Sequence, residues 1–222
     1  MKKLFVKWLE SKEDIRYNIE KYKNGDNILF ITGLVGSGKS TLAKELGKKY
    51  NATVITQDFL AWSDHNNSPE CTFFVNLFQE LYPETINYFK NNEWRKSNLT
   101  SEEKNMYRIK FDKMIMDYAK ENKDRLFIYE GSDLFCKSDI SIMKNHPIII
   151  KRTSAIKSYI RDYKRSNHGN NTIKKKLEYM KRMKYEFRKF YVQDLPKLNG
   201  FIERLNLDAK NWVMNFSLCK NS

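Results

Sequence analysis

The chain has few of the residues that build disulfide frameworks, zinc sites or membrane spans. Its 222 residues include three cysteines, three histidines and four prolines. Cys71, Cys136 and Cys219 lie far apart and form no C-x-x-C pair, and the histidines lack metal-ligand spacing, so neither disulfides nor zinc are expected. No apolar run approaches the roughly 18 residues of a membrane helix, so we expect no membrane insertion. The simplest interpretation is a protein of the reducing cytoplasm.

Acidic residues are also scarce relative to basic ones. The chain has 41 Lys and Arg against 27 Asp and Glu, which gives a net charge of +14. Much of this excess lies in residues 151–192, which contain 14 Lys and Arg and three acidic residues. A basic surface attracts nucleic acid, anionic membranes or phosphorylated substrates, but it is also typical of a solvated helix face. We favour the solvated face for most of these lysines.

A glycine-rich motif stands out from this background. Residues 33–40 read Gly-Leu-Val-Gly-Ser-Gly-Lys-Ser and match the pattern G-x-x-x-x-G-K-[ST] of a P-loop. The apolar run 28–31 before the motif indicates a buried strand, and residues 41–46 after it have the pattern of a helix. Strand, glycine loop and helix are the context in which this motif binds nucleotides.

The P-loop pattern predicts the chemistry of each position. Glycines allow backbone N–H groups to point at a polyphosphate, and the following helix adds its unpaired N–H groups and dipole. We expect Lys39 to reach the β- and γ-phosphates and the Ser40 hydroxyl to take a Mg²⁺ position. The predicted nucleotide-binding residues are consecutive: Gly33, Leu34, Val35, Gly36, Ser37, Gly38, Lys39, Ser40 and Thr41.

Further apolar runs predict an α/β protein with a parallel sheet covered on both faces. The predicted strands after the first are residues 52–56, 125–129, 148–150 and 201–205. The predicted helices are residues 1–25, 73–81, a helix capped by Ser101, residues 154–165, and a helix from Ile173 whose core or docking side carries Leu177, Met180, Lys184, Phe187 and Tyr191. We predict one domain over residues 1–222, with a helical substrate-covering insertion at about 59–124 and a lid at about 161–172.

Charged residues follow the predicted strands, and ligands of open α/β sheets bind at the carboxyl ends of strands. Asp58 follows the second strand and is our candidate for the catalytic base or acceptor-orienting residue. Glu130 follows the third strand and is a candidate for metal or substrate contacts, with Gly131 allowing close approach. Arg152 follows the fourth strand and is a substrate-binding candidate. The alternative for both acids is a simple helix cap.

Arg161 and Arg165 are four residues apart in a predicted helix and share one face. Their planar guanidinium groups suit phosphate oxygens, and we expect them to neutralise charge during phosphoryl transfer. The alternative is a surface network of arginines and aspartates.

Four short stretches together resemble one enzyme family. They are Gly-Ser-Gly-Lys-Ser-Thr at 36–41, Val-Ile-Thr-Gln-Asp at 54–58, Ile-Tyr-Glu-Gly at 128–131 and Ile-Arg-Asp-Tyr-Lys-Arg at 160–165. In this order the stretches resemble the P-loop kinases of the uridine kinase/phosphoribulokinase type. The resemblance implies a three-layer sandwich with a five-stranded parallel sheet of order 2-3-1-4-5. It also implies ATP on the P-loop, Asp58 activating the acceptor hydroxyl, Glu130 in the site, and Arg161 and Arg165 in a closing lid.

Three hypotheses follow for the function. The first is an ATP- and Mg²⁺-dependent kinase acting on a hydroxyl of a nucleoside, nucleotide or similar metabolite. The second keeps the chemistry but moves the phosphate to a nucleic-acid end, with the basic segment as the track. The third is a P-loop ATPase or GTPase that serves as an interaction module and transfers no phosphate. We rank them in this order.

Overall fold

The computed structural model describes residues 27–57, 69–86, 99–132, 134, 142, 146–151, 153, 155–165 and 173–189. The predicted N-terminal helix and the predicted strand at 201–205 lie outside the described residues. The described strands are β1 (Ile28–Gly33), β2 (Thr53–Thr56), β3 (Phe127–Gly131) and β4 (Ile148–Lys151). The described helices are α1 (Lys39–Tyr50), α2 (Pro69–Leu81), α3 (Ser101–Glu121), α4 (Ala155–Arg165) and α5 (Ile173–Lys189), with a short 3₁₀ turn at Pro83–Thr85.

The strands form a parallel sheet in the order β2-β3-β1-β4. The described part of the chain therefore has four strands instead of the five in the expected order 2-3-1-4-5. All six residues of β1 are buried, as expected for a central strand with a continuous apolar sequence. Strand β3 ends at Gly131, two residues later than predicted, because Glu130 still pairs with Thr56 of β2.

The described residues divide into two compact units, and along the chain the division falls within β1, after Lys39 and after Pro147. One unit contains residues 31–39 and the described residues from 148 onward, including β4, α4 and α5. The other unit contains residues 27–30 and the described residues of 40–147, including β2, α2, α3 and β3.

Helices cover both faces of β2 and β3 in the second unit. Gly47 of α1 lies so close to β2 that a Cβ atom on it would be 2.6 Å from Val54 Cγ2. On the opposite face, the ring of Tyr118 in α3 contacts the ring of Phe127 in β3, with centroids 5.9 Å apart. Because Val54 pairs with Ile128 and neighbouring side chains alternate, Val54 and Phe127 point to opposite faces. This unit therefore has three layers.

Aromatic side chains join α2 to α3. The rings of Phe78 and Phe111 are 5.3 Å apart, and those of Phe74 and Tyr118 are 5.2 Å apart, both in edge-to-face contact. Phe74, Phe78 and Phe111 are fully buried. Burial of such rings supplies much of the stabilisation of this helix pair, with the edge-to-face geometry adding to it.

The N-cap of α3 lies one residue earlier than predicted. The N-cap is Thr100, not Ser101: the Thr100 hydroxyl accepts a hydrogen bond from the Glu103 N–H, and the Thr100 N–H donates to Glu103 Oε2 at 2.7 Å. These bonds form a capping box, and the bond from the Thr100 backbone lowers the pKa of Glu103. At the other end, the Asn27 side-chain amide donates to the carbonyl of Ala119 at 2.7 Å. Both ends of α3 thus have partners for their backbone groups.

Helices α4 and α5 pack together in the first unit through tyrosines. The ring of Tyr179 contacts the rings of Tyr159 and Tyr163, with centroids 5.3 and 6.0 Å apart, and its hydroxyl donates to the Asp162 carboxylate. Met183 and Phe187, four and eight residues further along α5, are buried.

The side of α5 that was predicted to be core or docking surface is only partly buried. Leu177 and Met180 are 53% and 47% exposed, whereas Phe187 is buried as predicted. Helix α5 contacts α4 through Tyr179, and the buried Met183 and Phe187 follow Tyr179 at a spacing of four, in a row that excludes Leu177 and Met180. Among the residues that the structure describes, no helix has the length and apolar character needed to cross a membrane.

Candidate functional site

The loop between β1 and α1 has a backbone that depends on glycine. Gly36 has a φ of 75° and Gly38 a φ of 90°, in a region that residues with a Cβ atom rarely adopt. The Ser37 N–H donates to the Leu34 carbonyl at 3.0 Å, which closes a tight turn inside the loop. The Leu34 side chain is buried, so this residue offers only its backbone to a ligand.

Lys39 is the first residue of α1 and one of the most enclosed cations of the described chain, with 6% of its surface exposed. In the described part of the chain, no carboxylate or carbonyl forms a hydrogen bond or ion pair with its ammonium group. Burying an ammonium without a partner is unfavourable, and the positive end of the α1 dipole adds to this at the same place. Both effects favour an anion beside the loop. Ser40 and Thr41 follow in the first turn of α1, half-buried and exposed respectively.

Helix α4 holds the other side of the loop. The Ser158 hydroxyl donates to the Val35 carbonyl, and Arg161 Nη1 donates to the Ser37 carbonyl at 3.2 Å. Arg161 Nη1 also lies 3.5 Å from where a Cβ atom on Gly38 would be. The predicted site residue Arg161 is thus brought to the P-loop, where it contacts backbone oxygen.

Ser158 was not among the predicted site residues; it is buried and lies one helical turn before Arg161. The available signal was this spacing of three residues, which places both polar side chains on one face of α4.

Glu130 lies in the penultimate position of β3 with 2% of its surface exposed. It pairs with Thr56, and alternation places its side chain on the face of the sheet that carries Val54 and Ile128. Gly47 of α1 packs on this face. Glu130 therefore lies on the face of the sheet that α1 covers. Ser40 belongs to the first turn of this helix.

A buried polar cluster lies on the opposite face, between β2, β3 and α3. Tyr129 OH donates to Asp112 Oδ1, and Gln57 Nε2 donates to the same oxygen at 3.4 Å. A Cβ atom on Gly131 would lie 2.7 Å from Gln57 Cβ, so glycine at this position makes room for Gln57. We expected Gly131 to permit close approach of a ligand, whereas the structure shows that this glycine accommodates Gln57. Burial, and next the negative charge of Asp112, raise the pKa of Tyr129 well above its ordinary value.

We expect Tyr129→Phe to lower the free energy of unfolding at neutral pH by about 1–3 kcal/mol, because buried Asp112 loses a donor. The raised pKa predicts a pH dependence as well. The contribution of Tyr129 is fully present below the unfolded-state pKa of 10.0 and is lost as pH rises through the higher folded-state pKa. Urea unfolding of the wild type and of Tyr129→Phe at neutral pH and above pH 10 tests this. The variant should lose less free energy of unfolding at alkaline pH than the wild type loses. Tyr185→Phe, at an exposed tyrosine, is the control; equal behaviour of the two variants would contradict the prediction.

Three predicted site residues receive no description of their side chains. Asp58 and Arg152 lie outside the described residues, and Arg165 is the last residue of α4 with its side chain outside the description. Within the described ranges, no group of three or more His, Cys, Asp or Glu residues is placed to hold a metal ion. A Mg²⁺ site built from one hydroxyl, one carboxylate and the oxygens of a ligand requires no such group.

Comparisons with known proteins add little to this site. The chain matches no protein-family model, and no curated protein matches it. Solved structures similar to the chain include shikimate kinase from Bacteroides thetaiotaomicron, with 14% identity, coverage of 81% of this chain and 98% of that one, and a TM-score of 0.45. An uncharacterized protein from Eubacterium ventriosum has 14% identity, 84% coverage of both chains and a TM-score of 0.39.

A third similar structure is TT1252 from Thermus thermophilus, with 19% identity, coverage of 81% of this chain and 95% of that one, and a TM-score of 0.37. Because the identities and TM-scores of all three are low, no substrate or activity is transferred from them. The candidate site of this α/β protein is therefore described by its own geometry: a loop with positive-φ glycines, the buried Lys39, and helix α4 bonded to the loop backbone.

Proposed function

We propose that the protein is an ATP- and Mg²⁺-dependent phosphotransferase. It moves the γ-phosphate to a hydroxyl of a nucleoside, nucleotide or similar small metabolite, as P-loop kinases of the uridine kinase type do. The observation that carries the proposal is Lys39: an almost fully buried ammonium at a helix N-terminus, in a loop of positive-φ glycines, with no ion pair in the described part of the chain. A polyphosphate supplies the negative charge that this arrangement lacks.

The P-loop binds the triphosphate through its backbone. The N–H groups of residues 33–41 donate to the phosphate oxygens, and Lys39 pairs with the β- and γ-phosphates. Ser158 and Arg161 hold the carbonyls of Val35 and Ser37 from the other side, which restrains the backbone that carries these donors. A fixed set of donors stabilises the charge that develops in transfer without reorganisation at that moment.

Ser40 and Glu130 are the residues that would hold Mg²⁺. A hydroxyl and a carboxylate are oxygen ligands of the kind this ion prefers, and both residues lie on the α1 side of the sheet. When bound, the ion supplies neutralisation of charge on the β- and γ-phosphate oxygens. Glu130 contributes a carboxylate that is buried and therefore held in place by its surroundings.

Asp58 and Arg152 are the proposed acceptor side of the site, together with Glu130. Asp58 accepts the proton of the acceptor hydroxyl while the new oxygen–phosphorus bond forms and the bond from the γ-phosphorus to the β–γ bridging oxygen breaks. Arg161 and Arg165 offset the negative charge on the transferring group. Gln57, the residue before Asp58, donates a hydrogen bond to Asp112.

A second candidate function, transfer to the 5′ end of a nucleic acid, is favoured by one surface. Helix α5 exposes apolar and aromatic side chains among cations, the combination that binds bases and phosphates of single strands. These exposed residues are Leu177, Met180, Lys181, Arg182, Lys184, Tyr185 and Arg188. A third candidate, a nucleotide hydrolase that transfers nothing, has no observation of its own in its favour.

Release of ADP from ATP and Mg²⁺ in the presence of an acceptor panel tests the proposal. The panel contains nucleosides, nucleotides, sugars, vitamins and 5′-hydroxyl oligonucleotides. Stimulation by a small acceptor supports the first function, and stimulation by oligonucleotides with steeply salt-dependent binding supports the second. Release that no acceptor stimulates would overturn both in favour of a hydrolase.

Asp58→Asn is expected to lower kcat with the stimulating acceptor by about 10²- to 10⁴-fold and to leave ATP affinity unchanged, because only the proton acceptor is removed. Steady-state kinetics and an ATP binding titration measure the two quantities. Asp117→Asn, at an exposed aspartate of α3, is the matched control. An unchanged kcat in Asp58→Asn would remove Asp58 from the mechanism.

A further inference from the structure

Lys151 is a second buried lysine beside the P-loop. It is the last residue of β4 and only 4% exposed, which is rare for lysine. Its carbonyl oxygen lies 2.3 Å from where a Cβ atom on Gly33 would be, and its Cε lies 3.8 Å from the same position on Gly38. Lys151 therefore runs along the loop, with its backbone against the first glycine and the end of its side chain near the last.

Glycine at position 33 is needed for this contact. Gly33 has a φ of 155°, and no side chain fits between it and the Lys151 carbonyl. The backbone of Lys151 and the start of the loop are thus packed directly together. The Lys151 side chain extends from this contact toward Gly38.

Three cationic side chains converge on this one loop. Lys39 belongs to it, and the Arg161 guanidinium and the Lys151 side chain both come within 4 Å of the Cβ position of Gly38. The unpaired N–H groups at the start of α1 add partial positive charge. Positive charge collected at one largely buried loop favours a ligand with several negative charges, because water screens buried charges least.

We propose that Lys151 is a second phosphate-binding lysine, which pairs with the polyphosphate of the nucleotide alongside Lys39. This inference rests on the proposed nucleotide-binding function and extends it to a residue outside the P-loop motif. Its ligand class is a polyphosphate chain. Affinity should therefore rise with the number of phosphates and should not require a nucleoside.

Calorimetric titration with inorganic tripolyphosphate tests the inference on the full chain. We expect Lys151→Met to bind tripolyphosphate about 10- to 100-fold more weakly than the wild type, because one charge-assisted contact is lost. Lys44→Met is the matched control, since Lys44 is an exposed lysine of α1, and it should bind as the wild type does. Thermal unfolding of each variant verifies that it is folded.

Lys151→Arg separates charge from shape. Arginine keeps the positive charge, so this variant should retain more affinity than Lys151→Met; should Met not fold at this position, Lys151→Gln takes its place in the same comparison. Equal losses in the Arg variant and the neutral variant, or wild-type affinity in the neutral variant, overturn the inference. A wild type that binds neither tripolyphosphate nor ATP with Mg²⁺ overturns the proposed function instead, so the two failures are distinct.

Discussion

Lys39→Met is expected to weaken ATP binding by at least about 100-fold while the free energy of unfolding stays the same or rises. The two effects have one cause. The Lys39 ammonium is buried and has no ion pair in the described part of the chain, and in the proposed function the nucleotide supplies its counter-charge. Methionine fills a similar volume without that charge. Titration with a fluorescent ATP analogue and urea unfolding measure the two quantities.

The opposite signs of these effects make the test specific. A residue that only supports the fold loses stability and binding together when it is replaced. Lys44→Met, at an exposed position of the same helix, should change neither quantity by much. A loss of several kcal/mol of stability in Lys39→Met would show that Lys39 is a structural residue and would contradict its assignment to the nucleotide.

Gly36→Ala should destabilise the protein by about 2–5 kcal/mol and abolish measurable ATP binding. Two separate penalties apply to a side chain at this position. The φ of 75° strains any residue with a Cβ atom, and that atom would lie 2.4 Å from the Ser158 carbonyl oxygen. Since backbone atoms of α4 cannot rotate away, either α4 or the loop must move, and both carry the proposed phosphate site.

Gly38→Ala provides the matched control for Gly36→Ala. Its φ of 90° gives a similar strain, but the nearest atom to its Cβ position is 3.5 Å away, which is ordinary contact. We expect a loss of about 1–2 kcal/mol of stability from strain alone. Urea unfolding of the two variants compares them directly. Equal losses would indicate that α4 does not press on the loop at Gly36.

The parts of the structure that the sequence predicted are those with local causes. Continuous apolar runs marked the four described strands, and the glycines of the P-loop predicted a backbone that other residues rarely adopt. Cap positions and strand ends differed by one or two residues, as with Thr100 and Gly131. The end of β3 depends on a neighbouring strand, because Thr56 pairs with Glu130, whereas the cap of α3 depends on the hydrogen bonds between Thr100 and Glu103.

The parts that the sequence did not predict join residues that are distant along the chain. Ser158 and Val35 are separated by 123 positions, and Gln57 and Asp112 by 55. No local periodicity encodes such pairs, because they depend on which faces of the elements meet. The packed face of α5 shows the same limit. Its apolar residues lie on more than one side, and only the tyrosines of α4 select the side that is buried.

Helix α4 forms hydrogen bonds both to the P-loop and to α5, and these bonds restrain its movement. Ser158 and Arg161 bond to the carbonyls of Val35 and Ser37, while Asp162 bonds to Tyr179 of α5. A sliding or swinging helix would have to break both sets of bonds together. Any closing movement of the predicted lid that carries Arg161 would therefore first have to break its bond to the P-loop.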